Sequence, residues 1–342
     1  MGRFRRLILA CGALLGAAAL GLASNAYADS IGDFYRGKTV YLLIGVDVGG
    51  EYDTVARLVG RHIGRHIPGN PAVVPQNMVG ASGLKMANHL ATIAPQDGTN
   101  IGMMSNELPM NNAMGNPGIQ FDVSKLQWIG SPSPLVEVLL VWGARGVHTL
   151  AEARDRTLTV GTPTKTSIHN YLVGMVNHYA HARFKMVTGY AGGNATDLAM
   201  ERGEVDGRVV AWSAVQVTKP EWIRDGKVVP LVQFGPKAAD LATVPSASDF
   251  AKTEQQRQIV ELLISSTRLG RPFAAGPGVP AERVAALRAA FDETMKDPAF
   301  LAEAKTMKVA VAPVTGAEMT DIVHHVFATP PAVIAEAKRM NE

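Results

Sequence analysis

Short apolar runs alternate with amphipathic segments along most of the chain, and this alternation constrains the fold more than any other feature. Residues 38–46 form an apolar run with β-branched and aromatic side chains, which indicates a buried strand. Residues 52–67 then place apolar side chains at helical spacing. The same order recurs through residue 234. Beyond residue 250 the pattern is mostly helical, with short strands predicted at 272–275 and 309–314. The alternation predicts an α/β fold with mainly parallel sheets.

The strand–helix alternation falls into two series with a helical return after the second. The first series ends near residue 132, and the second runs from there to about residue 235. We therefore expect two lobes that are discontinuous in sequence. The first lobe would comprise residues 29–132 plus 236–342, the second would comprise residues 133–235, and the segments crossing between them would form a hinge.

The N-terminal segment has the pattern of an export signal. Three arginines precede an apolar stretch over residues 7–23, and Ala26 and Ala28 match the small residues of a cleavage site. The pattern predicts a signal peptide over residues 1–28, cleaved after Ala28, and therefore a periplasmic protein. An uncleaved membrane anchor is the alternative, since an apolar run of this length could just span a bilayer.

Charge and cysteine content exclude several classes of protein. The chain has 33 basic and 30 acidic side chains, and the predicted leader carries three arginines and no acid. The rest of the chain therefore balances at 30 and 30, without the basic surplus of a nucleic-acid-binding protein. The single cysteine, Cys11, lies in the leader, so thiol catalysis, iron–sulfur clusters and cysteine-ligated zinc are excluded from the mature protein.

Searches for catalytic motifs give little. The chain contains no Gly-x-Ser-x-Gly elbow, and its glycine turns lack the spacing of a dinucleotide site. His62 and His66 lie four residues apart, but the glutamate of the metalloprotease motif is missing, so we expect both on a helix surface. No nucleophile–base pair is evident. We therefore expect no enzymatic activity, no cofactor and no metal; a periplasmic enzyme is a disfavoured alternative.

Four glycine-rich turns each lie between a predicted strand and a predicted helix. Backbone N–H groups in such turns can approach an anion at a helix N-terminus, and in α/β proteins these turns gather at the carboxyl ends of the strands. The pattern predicts capture of a small anion by backbone amides and hydroxyls. The candidate ligand-binding residues are Gly49, Gly50, Glu51, Tyr52, Asp53, Gly80, Ala81, Ser82, Gly83, Thr162, Thr164, Thr166, Ser167, Gly192, Gly193 and Asn194.

Three of the side chains near these turns allow more than one interpretation. Asp53 is better explained as a helix cap than as a direct ligand contact. Glu51 is either a solvated loop carboxylate or a contact to a cationic or hydroxyl group of the ligand. Trp212 is better explained as a core residue than as a platform for a ligand.

The turns, taken in order, resemble one family. From Gly37 to the C-terminal helix the chain is similar to the solute-binding receptors of tripartite tricarboxylate transporters, known as Bug or TctC-type proteins. The matching blocks are Gly-Gly-x-x-Asp-x-x-Ala-Arg at 49–57, the segments 75–83 and 94–99, the loop 161–169 ending in Ser-x-x-His, Tyr-x-Gly-Gly at 190–193, and Arg-Gly-Glu-x-Asp-Gly at 202–207.

The resemblance implies a two-lobed periplasmic-binding-protein-like fold of type II, a Venus flytrap. It also implies capture of a small carboxylate and its delivery to the membrane permease subunits of a tripartite transporter; we expect a monomer. Presentation of the ligand to a membrane signalling receptor is the alternative. This chain has Asp47-Val48 where the family usually has Ala-Pro, and Glu51-Tyr52 where the family has smaller residues. Acidic side chains disfavour a bound carboxylate unless they are compensated, so a ligand carrying an amine stays open.

Overall fold

The computed structural model describes residues 31–165, 167–190 and 192–340, so the predicted signal peptide and Thr166 lie outside it. The strands are β1 (Thr39–Ile44), β2 (Ala72–Asn77), β3 (Asn100–Met103), β4 (Gln127–Ser131), β5 (Glu137–Trp142), β6 (Leu158–Thr162), β7 (Phe184–Thr188), β8 (Gly207–Ala211), β9 (Val228–Phe234), β10 (Phe273–Ala275) and β11 (Val314–Thr315).

The α-helices that follow β1 are α1 (Glu51–Ile63), α2 (Leu84–Thr92), α3 (Leu108–Ala113), α4 (Leu150–Arg154), α5 (Ile168–Ala180), α6 (Gly193–Glu201), α7 (Trp212–Thr218), α8 (Pro220–Arg224), α9 (Glu254–Leu269), α10 (Ala281–Thr294), α11 (Pro298–Thr306), α12 (Gly316–Phe327) and α13 (Pro331–Arg339). None of the helices in the described ranges is long and apolar enough to span a bilayer.

The first sheet has the strand order β11-β4-β10-β3-β1-β2. Strand β1 runs parallel to both β2 and β3, and its last residue, Ile44, lies opposite Asn77 and Met103. Because these three strands end in register, the turns that follow them gather at one edge of the sheet. The late strands β10 and β11 join the same sheet through antiparallel pairing with β3 and β4.

The second sheet has the strand order β7-β6-β8-β5-β9. Strand β6 is parallel to β7 and β8, whereas β5 is antiparallel to β8 and β9. Across both sheets of the described chain, four of the nine strand pairs are parallel, so the prediction of mainly parallel sheets is wrong. Strands that return from the other sheet need no crossover helix, so they can pair antiparallel.

Each sheet is covered by helices on both faces. In the first sheet, one face packs around Leu58 and Phe291, and the other packs around Trp128. The core of the second sheet includes Leu263 from α9 and Ala337 from α13, although both helices lie beyond residue 236. The C-terminal part of the chain therefore supplies strands to the first sheet and helices to the second.

Local sequence signals account for most of the element boundaries. The strands predicted at 38–46, 73–78 and 228–234 form within one or two residues of those limits. The prediction of a strand at 309–314 is wrong except for Val314, which begins β11. The backbone N–H groups of Val309 and Ala312 donate to the carbonyls of Ala304 and Pro132 rather than to a neighbouring strand.

The joint between α1 and the helices α10 and α11 is polar, which the sequence did not suggest. His62 is 5% exposed, its Nε2 lies 2.6 Å from Glu303 Oε2, and its ring packs edge-on against Phe300. The prediction that His62 and His66 lie on a helix surface is therefore wrong for His62, because α11 packs over it. His66 Nε2 lies 2.9 Å from Asp297 Oδ2.

Acid should weaken this joint through Asp297. Hydrogen bonds from His66 and from the backbone N–H of Ala299 lower the pKa of Asp297 from 3.8 to about 2. A lowered folded-state pKa stabilises the protein above the unfolded value, and the contribution is lost as the pH falls through the folded value. We expect the free energy of unfolding of wild type to fall more steeply between pH 4 and pH 2 than that of Asp297→Asn, which keeps a capping oxygen. Urea unfolding across this range measures both slopes, and equal slopes would contradict the assignment.

Candidate functional site

The first glycine turn connects β1 to α1 and is held by a buried carboxylate. Asp53 is 2% exposed and accepts hydrogen bonds from the Gly49 N–H (2.9 Å), from Arg57 Nε (3.0 and 2.9 Å) and from Asn77 Nδ2 (2.8 Å). Burial alone would raise the pKa of Asp53, but these hydrogen bonds outweigh it and lower the pKa. Asp53 therefore holds the turn from within the first turn of α1. The interpretation of Asp53 as the helix cap is wrong, because the N-cap is Gly50, which has no side-chain capping bond, and Asp53 reaches back to the Gly49 N–H instead.

The second glycine turn has an unusual backbone. Gly80, Ala81, Ser82 and Gly83 have φ angles of +148°, +48°, +52° and +89°. Left-handed conformations at Ala81 and Ser82 cost free energy, and such strain concentrates where a backbone is shaped for a function. A Cβ atom on Gly45 would lie 2.8 Å from the Cα of Gly83, so the first and second turns touch.

A cavity of about 460 Å³ lies at this edge of the first sheet. Its wall includes the second turn, together with Gly45, Asp47 and Tyr52 from the first turn and its helix. Ser105 and Glu107, which follow β3, also line it, and both were missed from the sequence. They form no motif, but they stand at the same carboxyl edge as the two turns, which is the signal that could have found them.

A second cavity, of about 350 Å³, lies between α1 and α7. Glu51 forms an ion pair here with Arg271, a residue that is 4% exposed, and Ser213 Oγ donates to Glu51 Oε1 at 3.3 Å. Glu51 thus has a protein partner from a distant part of the chain. The cluster joins α1 to α7 and to the segment before β10.

Trp212 and Tyr52 mark the inner walls of the two cavities. Trp212 is 5% exposed and donates from Nε1 to Asp240 Oδ2 at 2.6 Å, so its interpretation as a core residue holds, although it also lines the second cavity. Burial raises the pKa of Tyr52, so its hydroxyl stays protonated. That hydroxyl donates to the carbonyl of Gly270 at 3.1 Å.

The third turn forms hydrogen bonds within itself. Thr162 is fully buried and donates to Asn170 Oδ1 at 2.6 Å. Ser167 caps α5, with Oγ accepting from the Asn170 N–H, and it also donates to the carbonyl of the exposed Thr164. Thr162, Thr164 and Ser167 do not line either of the two cavities. Thr166 lies outside the described residues.

The fourth turn begins α6. Gly192 precedes the helix, and the carbonyl of Gly193 accepts from Arg208 Nη1 at 2.6 Å. Asn194 is exposed beside them. The structure therefore brings the first and second turns together around one cavity, whereas the third and fourth turns lie outside the two cavities. Of the first-turn candidates, only Tyr52 lines the 460 Å³ cavity; Gly49 and Glu51 line the second cavity, and Gly50 and Asp53 line neither.

A cluster of three titratable side chains lies where α5 meets the first sheet's loops. His169 Nε2 lies 3.1 Å from Glu137 Oε2. Burial would lower the pKa of His169, but the nearby carboxylates of Glu137 and Glu107 outweigh it and raise the pKa. Burial raises the pKa of Glu107, against the opposing effect of His169. No group of side chains suited to hold a metal ion occurs in residues 31–165, 167–190 and 192–340.

Comparisons with solved structures identify the fold of the chain. No protein-family model matches the chain, and no curated protein matches it either. A TctC solute-binding protein from Polaromonas superposes with a TM-score of 0.66 at 17% identity, over 90% of this chain and 98% of the other. The chain has the fold of a TctC-type solute-binding protein.

Two further structures with this fold were solved with small acids. A Rhodopseudomonas palustris protein with adipate gives a TM-score of 0.66 at 17% identity, covering 89% of this chain and 98% of that one. MatC from the same organism, solved with bound malate, superposes with a TM-score of 0.62 at 18% identity. The match covers 90% of this chain and 99% of MatC. The two-lobed, periplasmic-binding-protein-like fold expected from the sequence is confirmed.

Proposed function

We propose that the chain is a periplasmic solute-binding receptor that captures a small carboxylate for a tripartite tricarboxylate-type transporter. One observation carries the proposal: the first two glycine turns meet around a single cavity at the carboxyl edge of a sheet, in a fold shared with proteins solved with adipate and malate. Backbone amides at such an edge can donate to a carboxylate, and a hydrogen bond to a charged group contributes about 1.5–3 kcal/mol.

The lobes are proposed to be residues 29–132 plus 236–342 and residues 133–235. The pairing of β10 and β11 with the first sheet supports this division, and α9 and α13 would then reach across to the second lobe. Closure would bring the third and fourth turns, with Ser167 and Asn194, toward the first cavity and complete the ligand site from the second lobe.

The remaining parts of the proposal come from the sequence. Residues 1–28 would direct export and be removed after Ala28. The mature monomer would bind its ligand without turning it over, need no cofactor, and dock on the permease subunits of the transporter. Intact-mass analysis of exported protein tests the cleavage site.

A thermal-shift screen tests the function itself. The mature protein would be heated with mono-, di- and tricarboxylates and with amino acids. A ligand at 100 times its Kd stabilises the folded state by about 2.7 kcal/mol, which raises the midpoint by a few degrees in a protein of this size. Failure of every acid to raise the midpoint would overturn the proposal.

Substituting Gly50, next to the first cavity's lining residues on the same turn, tests the site, and urea unfolding of the variant checks that it remains folded. Gly50 has φ −71°, and a Cβ atom there would meet only the Asp47 carbonyl, at 3.6 Å, so the position accepts a Cβ atom in the free protein. Its branched side chain would keep a ligand from the backbone N–H groups of the turn. We expect Gly50→Val to weaken binding at least tenfold in calorimetry. Val48→Ala, a change at the exposed tip of the same turn, should bind as wild type does. Wild-type affinity in Gly50→Val would place the site elsewhere.

A further inference from the structure

We propose that Glu107 makes the receptor select acids that carry a protonated amine, such as amino acids, over the same acids without it. This inference rests on the proposed function, because it assigns the ligand class of the same cavity.

The position of Glu107 is the first step. Glu107 lines the 460 Å³ cavity together with Tyr52 and the second glycine turn. Its carboxylate also interacts with the backbone N–H of Ile168 and with the side chain of Asn111. Ile168 is the first residue of α5, the helix that follows the third glycine turn. The protein therefore supplies its own carboxylate at the helix N-terminus where the sequence predicted a ligand anion.

That placement limits what a ligand can present on this side. Free N–H groups at a helix N-terminus stabilise an anion because of the helix dipole. Here the Ile168 N–H already interacts with Glu107, so a ligand carboxylate would have to displace the half-buried Glu107 carboxylate to use it. A carboxylate of the ligand is better accommodated at the first and second turns.

The side chains around Glu107 also disfavour a ligand carboxylate on this side of the cavity. His169 lies beside Glu137, whose Oε2 is 3.1 Å from the imidazole Nε2, and is also close enough to Glu107 to feel its charge, so two acidic side chains share one imidazole here. Asp47 lines the same cavity and adds a further negative charge. Glu51 is paired with Arg271 and Asp197 with Arg208, whereas the Lys85 side chain lies against Gly80 of the second turn, on the side proposed for the ligand carboxylate.

An acidic wall of this kind distinguishes between ligands. An ionised Glu107 repels a second carboxylate and attracts an ammonium group, and a bound ammonium group in turn favours the ionised form of Glu107 that burial disfavours. A ligand with a carboxylate at the glycine turns and an ammonium beside Glu107 satisfies both halves of the cavity. The cavity is large enough for a molecule the size of an amino acid.

Matched pairs of acids test the inference. The mature wild-type protein would be titrated by calorimetry with aspartate and succinate, glutamate and glutarate, and leucine and 4-methylpentanoate; in each pair only the first member carries the amine. We expect the aminated member to bind at least tenfold more tightly in any pair that binds. Glu107→Gln should reduce that preference at least tenfold. The control Glu204→Gln, at an exposed glutamate, should keep it.

The possible outcomes separate the two proposals. If the acids without an amine bind wild type as tightly as their partners, or if Glu107→Gln folds and keeps the preference, the role of Glu107 is overturned while the receptor function stands. If wild type binds none of the six acids and none from the thermal-shift screen, the receptor function fails as well. The wild-type preference is measured without any substitution, so the inference stays testable even if Glu107→Gln does not fold.

Discussion

Replacing Asp53 with asparagine is expected to lower the free energy of unfolding by about 2–3 kcal/mol. The carboxylate is buried and accepts hydrogen bonds from Arg57, Asn77 and the Gly49 N–H. An amide cannot serve all of these donors, and it leaves the Arg57 guanidinium without its counter-charge. The loss of stability should be smaller than for breaking a fully buried ion pair, because the side chain of Arg57, the partner of Asp53, is 32% exposed. Urea unfolding of the two proteins measures the difference.

The same substitution should weaken ligand binding, because Asp53 fixes the turn that carries the candidate N–H donors. The matched control is Asp33→Asn, which removes an exposed carboxylate paired with Arg36 and should cost less than 1 kcal/mol. If Asp53→Asn were as stable as Asp33→Asn, the turn would owe its shape to its glycines rather than to the buried carboxylate.

The second large effect is expected at Gly270, in the segment that joins α9 to β10. Gly270 has φ +64° and ψ −111°, and a Cβ atom there would lie 2.0 Å from the carbonyl oxygen of Ser133 and 2.9 Å from Ser131 Oγ. Alanine must therefore push apart the segments around Ser133 and Gly270, which run side by side between the two sheets. We expect Gly270→Ala to cost about 3–5 kcal/mol, the sum of roughly 1–2 for the backbone conformation and 2–3 for the overlap.

Gly226→Ala is the control for Gly270→Ala. Gly226 has φ +62°, but a Cβ atom there would meet nothing within 4 Å. Gly226→Ala should lose only the backbone contribution, about 1–2 kcal/mol. Equal losses in the two variants, measured by urea unfolding, would show that the segments between the sheets yield easily, contrary to the close contact at Ser133.

The elements of the fold follow from local sequence because their signals are local. An apolar run such as 228–234 can be buried only as a strand or helix, and its length and β-branched residues favour a strand. Thr315 and Glu318 mark the start of α12 through a capping box, in which each side chain accepts from the other's backbone N–H. Such interactions span a few residues, so they are visible without any tertiary contact.

The glycine turns could be predicted from the sequence only in part. Their position after strands could be inferred, and the register of β1 with β2 and β3 explains why the first two turns meet. Their individual roles could not be inferred. The structure locates the backbone strain at Ala81 and Ser82 and the close approach at Gly45, whereas Gly50 has room for a side chain.

The sequence by itself determined the α/β class, the order of the elements and the turns at the carboxyl edge, because periodicity and turn chemistry act over a few residues. Only the tertiary structure decided the antiparallel entry of β10, the pairing of Glu51 with Arg271, and the meeting of Glu107 with the start of α5. The residues of that ion pair lie 220 positions apart. Nothing in a local pattern encodes such a contact, because it depends on how two separately formed sheets are brought together.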